Sequence, residues 1–473
     1  MQLRFAISAK VVISTFAGAA LAAPPPIQTH RLPNGLEVLV VENQSVPLVT
    51  IEFAAKNGSM TEPPSYNGLS HLYEHMFFKA NAVIPNQEAY LARMRQLGMQ
   101  FNGSTGTERV NYFFTTTSDH LAESMQFMRD AIVSPLFEPK ELEQEKQVVI
   151  GEIDRNESNP YYHFQHEVSK RVWWKYPSRK DPLGNRKTVL AATREQMKTI
   201  QKRYYIPNNS VLVVTGDVKA IDVFQQTEQL YQKWKAGPDP FKKFPLVHHP
   251  PIPRSEVVMV EQPVETVSIE LVWHGPSTVD DHVELTYSAD LLGYAIQEPS
   301  SPFEKNLVES GACVHAAFSW STQMNVGPIT LGLEATPDKV DECLKAAIAE
   351  LPRMKSSDYL SDEELRNASH RLEVDQALER EKPSELAHVL TFWWCSAGLN
   401  YYLSYLDNVK KATRADIARF LETYVLGKPY VLGAMVSPKM ATELHLNRAH
   451  FERLAGIGER ADASRVGADK AER

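Results

Sequence analysis

The pentapeptide His71-Leu72-Tyr73-Glu74-His75 places two histidines four residues apart with a glutamate between them. On a helix, residues at this spacing lie on one face, so both imidazoles can reach a single metal ion. Glu74 adjoins His75 and can contact a water at that ion without itself being a ligand. The order H-x-x-E-H is an inverted zinc-hydrolase motif, and it predicts metal-assisted hydrolysis. The alternative interpretation is a helix that carries two structural histidines.

A catalytic zinc site needs a third protein ligand and one open position. The acidic segment 141–154 supplies candidates. Four of its residues are spaced three, four and three apart and form one helical stripe: Leu142, Glu145, Val149 and Glu152. A carboxylate inside an apolar stripe requires a cation or hydrogen-bond donors when it is buried. We therefore expect Glu145 and Glu152 to face a metal, whereas Glu141 and Glu143 fit a solvated acidic face.

An internal repeat places these residues in the first of two similar units. Segment 49–59 matches 267–277 at an offset of 218 residues, and 193–204 matches 413–424 at an offset of 220, each followed by an apolar run (210–215 and 430–436). Because the two matches lie at opposite ends of the unit and have nearly equal offsets, they predict a duplicated domain. Chance similarity between short apolar strands is the alternative.

Hydrophobic patterning predicts an α+β fold. Runs of alternating apolar residues predict strands at 36–42, 49–55, 110–117 and 211–216. Longer patterned stretches predict helices at 68–78, 87–97, 120–132, 139–157 and 220–234. Strands followed by runs of helices indicate a mainly antiparallel sheet packed against helices, and the repeat indicates two homologous sandwich domains of this kind.

Composition suggests where the domains begin and end. We place the first domain, which carries the predicted metal site, at 23–235, and the homologous second domain, without a metal site, at 255–450. Between them, segment 236–254 contains six prolines, which favour a stiff extended linker whose two adjacent histidines are solvated. Residues 451–473 are rich in Ala, Gly, Arg and Asp and are expected to form a disordered tail.

Residues 1–22 have the features of a secretory signal peptide. Arg4 and Lys10 provide positive charge, residues 11–21 form an apolar run, and residues 20–22 read Ala-Leu-Ala, an A-x-A cleavage pattern. The run is about half of the roughly 20 residues that cross a bilayer, so no transmembrane anchor is expected. We expect an exported protein, periplasmic if the source is Gram-negative and otherwise secreted.

Composition also excludes several classes of function. The 473 residues include 50 Lys and Arg against 58 Asp and Glu, and the net charge is -8. Nucleic-acid binders need a basic surface, so no nucleic-acid partner is expected. No G-x-S-x-G nucleophile motif occurs, and the glycine-containing segment 102–106 lacks the lysine of a P-loop. The three cysteines, Cys313, Cys343 and Cys395, allow at most one disulfide.

The motif and its surroundings resemble the pitrilysin and mitochondrial processing peptidase family of inverzincin metallopeptidases. Residues 71–79 read HLYEHMFFK, Glu152 follows His75 by 77 residues, and Glu145 precedes Glu152 by seven. Further similar segments run in order through the first half, at 34–36, 57–59, 101–102, 182–184 and 205–217. Through the repeat, the resemblance extends to about residue 440.

This resemblance implies one Zn²⁺ per chain, held by His71, His75 and Glu152. It also implies that Glu74 is the general base and that Glu145 is a supporting acidic residue near the site. The activity implied is that of a zinc metalloendopeptidase acting on peptides or unfolded segments.

In this family the peptide substrate is bound as an added β-strand, so that backbone hydrogen bonds carry the affinity. We place the corresponding sheet edge at 100–114, with Asn102 and Tyr112 as candidate substrate-binding residues. The alternative is that this segment forms an interior strand pair.

Two departures from the family pattern concern the second half of the chain. The repeat counterparts of the three motif residues are Ala289, Leu292 and Gly293, so the second half cannot hold its own zinc. Many relatives carry, in a later segment, an arginine and a tyrosine that assist the reacting carbonyl. The matching segment 307–314 has neither residue, and His315 adjoins the missing tyrosine position.

The chain therefore resembles the zinc-carrying subunit of two-subunit bacterial relatives. This implies half of a clam-like chamber, completed by a homologous partner subunit that supplies the Arg/Tyr pair or by a second copy of this chain. The alternative function is a catalytically silent assembly or binding subunit of the same fold. The intact set of four polar site residues argues against that alternative.

Overall fold

The computed structural model describes residues 26–279 and 282–457. The predicted signal peptide and residues 458–473 of the predicted tail lie outside these ranges. Within them, no helix combines the length and the apolar composition that crossing a membrane requires.

The first half forms a six-stranded sheet in the order β1-β2-β6-β3-β5-β4. All neighbouring strands pair antiparallel except β2 and β6, which are parallel. The six strands are β1 (Gln28–Arg31), β2 (Glu37–Glu42), β3 (Leu48–Ala55), β4 (Gln100–Thr105), β5 (Val110–Thr117) and β6 (Ser210–Gly216). Strand β4 is consequently an edge of the sheet.

Helices cover the inner face of this sheet and share a core with it. The nine helices that the described part of the chain forms before residue 250 are α1 (Leu69–Phe77), α2 (Gln87–Gln96), α3 (Leu121–Val133), α4 (Pro139–Glu157), α5 (Pro160–Val172), α6 (Arg186–Leu190), α7 (Arg194–Tyr204), α8 (Ala220–Tyr231) and α9 (Pro240–Lys243). The predicted strands are confirmed to within one residue. So are the predicted helices, apart from the last, which ends three residues earlier than predicted.

The second half repeats the arrangement with a five-stranded sheet in the order β7-β11-β8-β10-β9. Its strands are β7 (Glu256–Glu261), β8 (Val267–His274), β9 (His315–Trp320), β10 (Pro328–Ala335) and β11 (Val431–Val436). Its helices are α10 (Glu284–Ile296), α11 (Pro302–Glu304), α12 (Val340–Arg353), α13 (Asp362–Glu379), α14 (Pro383–Ser396), α15 (Leu399–Val409), α16 (Arg414–Tyr424), α17 (Pro438–Glu443) and α18 (Arg448–Leu454). The predicted α+β class with two similar sandwich units is confirmed.

Each half covers the outer face of the other half's sheet with one helix. Helix α14 of the second half packs Leu386, Leu390 and Trp394 against β2, β3 and β6. Helix α5 of the first half packs Phe164 and Val168 against β7, β8 and β11. Because both outer faces are apolar, this reciprocal packing fixes the two halves against each other through buried surface.

Two expectations about the linker and the tail are wrong in part. Segment 236–254 forms no strand but contains α9. Its His249 is 3% exposed, and its ring centroid lies 5.0 Å from that of Trp173. The tail cannot begin at 451, because α18 continues to Leu454 and Phe451 is fully buried in the second core.

The cysteines form the single disulfide that their number allows. Cys313 is bonded to Cys343, which joins the start of β9 to α12. Cys395 is a buried free thiol on α14, and burial raises its pKa to about 12. A protonated thiol of this kind is unreactive, so Cys395 serves packing.

The position of Phe451 gives a test of the revised boundary. Phe451→Ala should lower the free energy of unfolding by about 3–5 kcal/mol, because it removes a fully buried ring. Leu444→Ala is the control, since Leu444 is 48% exposed and its truncation should change stability by no more than about 0.5 kcal/mol. Urea denaturation followed by circular dichroism measures both variants. Equally small effects of both substitutions would show that residues 451–457 belong to the disordered tail, as predicted from the sequence.

Candidate metal centre

Helix α1 is held in place by its buried side and by its first turn. Leu72 and Met76 are in the first core, so the opposite side of the helix faces the cavity beside β4. At the start of the helix, the carboxylate of Glu62 accepts hydrogen bonds from the backbone N–H groups of Gly68 and Ser70, at 2.8 and 2.5 Å. These contacts satisfy donors that the first turn of any helix leaves free.

Three electron-donating atoms meet on the cavity side. His71 Nε2 lies 3.2 Å from His75 Nε2 and 3.3 Å from Glu152 Oε2, and His75 Nε2 lies 3.6 Å from the same oxygen. Ligands about 2.0–2.1 Å from a tetrahedral zinc ion lie about 3.3–3.4 Å apart. The triangle therefore has the size that a zinc ion requires. Its third atom, from Glu152, belongs to the stripe predicted on α4.

The charge around this triangle favours a cation. Burial opposes the protonation of His75, but the carboxylates of Glu145, Glu74 and Glu152 outweigh it and raise the pKa of His75. Burial and the neighbouring His75 lower the pKa of His71 to about 4, so its imidazole is neutral near pH 7. A neutral imidazole is the form that binds a metal.

Glu145 lies behind His75 and orients it. Its Oε1 is 3.0 Å from His75 Nδ1, and its Oε2 is 2.5 Å from the Nζ of Lys79, which is itself buried. Although burial works against it, the bonds from His75 and Lys79 hold the pKa of Glu145 below its usual value. A carboxylate at Nδ1 keeps the proton on that nitrogen and leaves Nε2 free to bind a metal.

Glu74 is next to the triangle and is held from the β4 side. Its Oε2 accepts a hydrogen bond from the Thr105 hydroxyl at 2.9 Å. A Cβ added to Gly103 would lie 2.9 Å from Glu74 Oε1, so the glycine permits β4 to approach this closely. Burial raises the pKa of Glu74, although His75 and Thr105 oppose the shift. A carboxylate with a raised pKa is suited to proton transfer near neutral pH.

These groups line one cavity of about 590 Å³. Its lining includes residues of α1, α2, α4 and the edge strand β4, together with Pro182 and Leu183. The predicted edge is confirmed for β4, while β5 is interior.

The two candidate substrate-binding residues have different positions. Asn102 is exposed on β4 and borders the cavity. Tyr112 is a wrong assignment, because it lies on β5, is fully buried and has its hydroxyl 2.9 Å from that of Tyr205. Glu141 is not simply solvated either, since its carboxylate accepts hydrogen bonds from the N–H groups of Ala80 and Gln87 at 3.1 and 2.9 Å.

Sequence reasoning missed three contacts at this centre, namely those of Lys79, Gly103 and Thr105. Lys79 lies two residues beyond the end of α1, so helical spacing does not predict its contact with Glu145. Gly103 and Thr105 are two apart on β4, so they share the face that meets Glu74. This spacing signal on β4 does not reveal which partner Gly103 and Thr105 contact.

Two family descriptions match the chain. "Insulinase (Peptidase family M16)" matches residues 37–184, and "Peptidase M16 inactive domain" matches residues 191–372. The chain belongs to peptidase family M16. The first match contains the whole candidate metal centre, and the second covers most of the half whose motif positions lack metal ligands.

Named M16 relatives agree with this assignment. The chain is 25% identical to an uncharacterized zinc protease of Rickettsia felis over 354 residues, which is 74% of this chain and 83% of the relative. It is 25% identical over 276 residues to a probable mitochondrial-processing peptidase subunit beta of Arabidopsis thaliana, covering 58% of this chain and 51% of that protein. The crystal structure of the periplasmic protease PqqL of Escherichia coli superimposes with a TM-score of 0.74 at 18% identity, over 92% of this chain and 50% of PqqL.

The triangle predicts stoichiometric metal binding. The purified chain should contain about one zinc ion, and the double variant His75→Ala/Glu152→Ala should contain almost none, because one remaining ligand cannot complete the shell. Glu143→Ala is the control, since Glu143 is an exposed acid on the same helix. Mass spectrometry of metals measures all three proteins. Zinc retained by the double variant would place the metal elsewhere.

The contact between Glu145 and His75 predicts a graded effect. Glu145→Ala should keep the fold and weaken zinc affinity by about 10–100-fold, the usual effect of losing a group that orients a metal-binding histidine. Competition with a chelator of known affinity measures the change, again against Glu143→Ala. Affinity equal to that of the unchanged chain would show that Glu145 does not orient His75.

Proposed function

We propose that this M16 chain is a zinc metalloendopeptidase that hydrolyses peptides or unfolded segments. The observation that carries the proposal is the position of Glu74, a carboxylate with a raised pKa beside three atoms spaced as zinc ligands. Relatives with this domain are named zinc proteases, which supports the same assignment.

The chain's own residues divide the work. His71, His75 and Glu152 would hold the ion, which when bound polarises the scissile carbonyl and lowers the pKa of water. Glu74 accepts the proton of the attacking water and passes it to the leaving amine. The Thr105 hydroxyl fixes one oxygen of Glu74, so that the other can face the reacting water.

The edge of β4 is the place where a peptide would bind. An edge strand presents unpaired N–H and C=O groups, and an extended peptide can pair with them irrespective of its sequence. Because Gly103 and Thr105 of this strand contact Glu74, a peptide along β4 would pass the triangle. This arrangement favours broad specificity, with Asn102 at the exposed side of the strand.

We further propose that a partner completes the site. Segment 307–314 lacks the Arg/Tyr pair, and His315, exposed at the start of β9, is not among the residues that line the cavity. This chain covers 50% of PqqL, so that neighbour has room for a second unit of this size. A homologous subunit would supply the pair, or a second copy would close the chamber.

The proposed location is outside the cytoplasm. The signal-like residues 1–22 support export, and the structural neighbour PqqL is described as periplasmic. We place the protein in the periplasm of a Gram-negative source or among secreted proteins.

Glu74→Gln tests the role of the general base. The amide has the shape of the carboxylate but cannot accept the proton, so cleavage of a fluorogenic peptide should fall by about 10²–10⁴-fold while zinc content is unchanged. Glu143→Gln is the control and should cleave at the unaltered rate. Near-normal turnover by the Glu74 variant would assign the base to another group.

The partner proposal predicts a rate difference. The isolated chain should bind zinc yet cleave slowly, because oxyanion donors are worth about 10²–10³-fold in rate each. Adding an M16 subunit that carries the Arg/Tyr pair should restore cleavage without changing zinc content. A single chain that cleaves at full rate, whether monomeric or self-paired, would contradict the need for a different partner. A zinc-free, inactive complex would instead favour the silent subunit.

A further inference from the structure

The loop between β9 and β10, residues 321–327, is bound by a buried acid of the first half. Glu108 is 4% exposed and lies in the turn that joins β4 to β5. Its two oxygens accept hydrogen bonds from the backbone N–H groups of Met324 and Asn325, at 2.7 and 2.9 Å. A buried carboxylate that is matched to two backbone donors is strongly position-specific.

A lysine of the first half binds the same loop from another side. Lys180 Nζ donates to the backbone carbonyls of Asn325 and Val326, both at 2.7 Å, and to the side-chain oxygen of Gln323. The ammonium also lies 4.5 Å from the ring centre of Trp173. Burial lowers the pKa of Lys180 to about 8, although Glu108 opposes the shift.

The loop is in a conformation that it would not adopt freely. Val326 has φ +54°, a left-handed value that is unfavourable for a β-branched residue. Its carbonyl is one of the groups that Lys180 binds. Strained residues of this kind persist where surrounding contacts hold them, and they concentrate at functional positions.

Both charged residues connect directly to walls of the metal-centre cavity. Glu108 follows Thr105 by three residues, and Thr105 binds Glu74. The neighbouring Arg109 donates to the His388 carbonyl and the Thr391 hydroxyl of α14, at 2.7 and 2.8 Å. The β4–β5 turn is therefore held by two separate elements of the second half.

The other wall follows Lys180 itself. Pro182 and Leu183, two and three residues further along, are among the residues that line the cavity. The adjoining Gly184 packs so closely on Gly68 that a Cβ there would lie 2.2 Å from the Gly68 Cα. A shift of Lys180 would consequently move this wall and the start of α1 together.

We propose that Glu108 and Lys180 are positioning residues, through which the 321–327 loop of the second half sets both the β4 wall and the 182–183 wall of the metal-centre cavity. The second half, which has no metal ligands at the motif positions, thereby acts on the site of the first. The consequence for peptide binding rests on the proposed function, whereas the placement of the walls does not.

Hydrogen–deuterium exchange of the full chain tests the placement. Glu108→Gln is nearly isosteric, and Lys180→Met removes the ammonium while keeping much of the stem. Each should speed amide exchange in β4 and in residues 179–184 by about tenfold, because the opening of these segments is no longer resisted. Zinc content should stay at that of the unaltered chain.

Glu350→Gln is the matched control. Glu350 is 2% exposed and accepts hydrogen bonds from Asn306 and Tyr359 of the second half, at 2.9 and 2.8 Å. It should speed exchange around α12 and leave β4 unaffected. Gly327→Ala disturbs the same loop while keeping both Glu108 and Lys180. Its added Cβ would lie 1.8 Å from the Ser321 carbonyl oxygen, so the 321–327 loop would have to shift. It should reproduce the effect on β4.

Peptide cleavage gives the second readout. If the proposed function holds, the Glu108 and Lys180 variants should raise KM more than they lower kcat, while Glu350→Gln changes neither. Should the unaltered chain cleave nothing, the exchange result still decides the placement. Faster exchange confined to residues 321–327, or an equal rise in all variants including Glu350→Gln, would overturn the proposal.

Discussion

Three lone-pair-bearing atoms, on His71, His75 and Glu152, lie within 3.6 Å of one another. Such atoms repel each other unless a proton or a metal ion lies between them, and the surrounding carboxylates favour a cation there. The rest of the structure serves to hold α1 and α4 so that the three atoms stay together. Buried apolar side chains on both helices do this, and Lys79 and Glu145 fix the imidazole that would otherwise rotate.

Only the first of the two similar halves carries candidate metal ligands at the motif positions. At the motif positions of the second half, Ala289 and Leu292 are buried on α10, where metal ligands would face a core. The second half instead contributes apolar side chains that pack against the first half. Its helix α14 covers the outer face of the first sheet, and α5 returns the contact on the second sheet. Two halves that cover each other in this way move as one body more readily than two domains on a flexible linker.

The sequence predicted most of the site because its information is local. The i, i+4 spacing of His71 and His75 and the stripe on α4 follow from helix geometry, and both helices formed as predicted. The errors concern contacts between distant segments. Alternation along the chain does not reveal which neighbours cover a strand, so it cannot distinguish the edge strand β4 from the interior strand β5 that carries Tyr112. His249 and Phe451 are buried by Trp173 and the second core, and neither partner is near in sequence.

We expect one zinc ion to be bound by His71, His75 and Glu152, beside Glu74. Anomalous diffraction at the zinc absorption edge, from crystals of the purified chain, tests it most directly. We expect a single strong peak at about 2.0–2.2 Å from His71 Nε2, His75 Nε2 and Glu152 Oε2, with Glu74 close by but not coordinated. A peak at other residues, or none at this triangle in zinc-replete protein, would contradict the account.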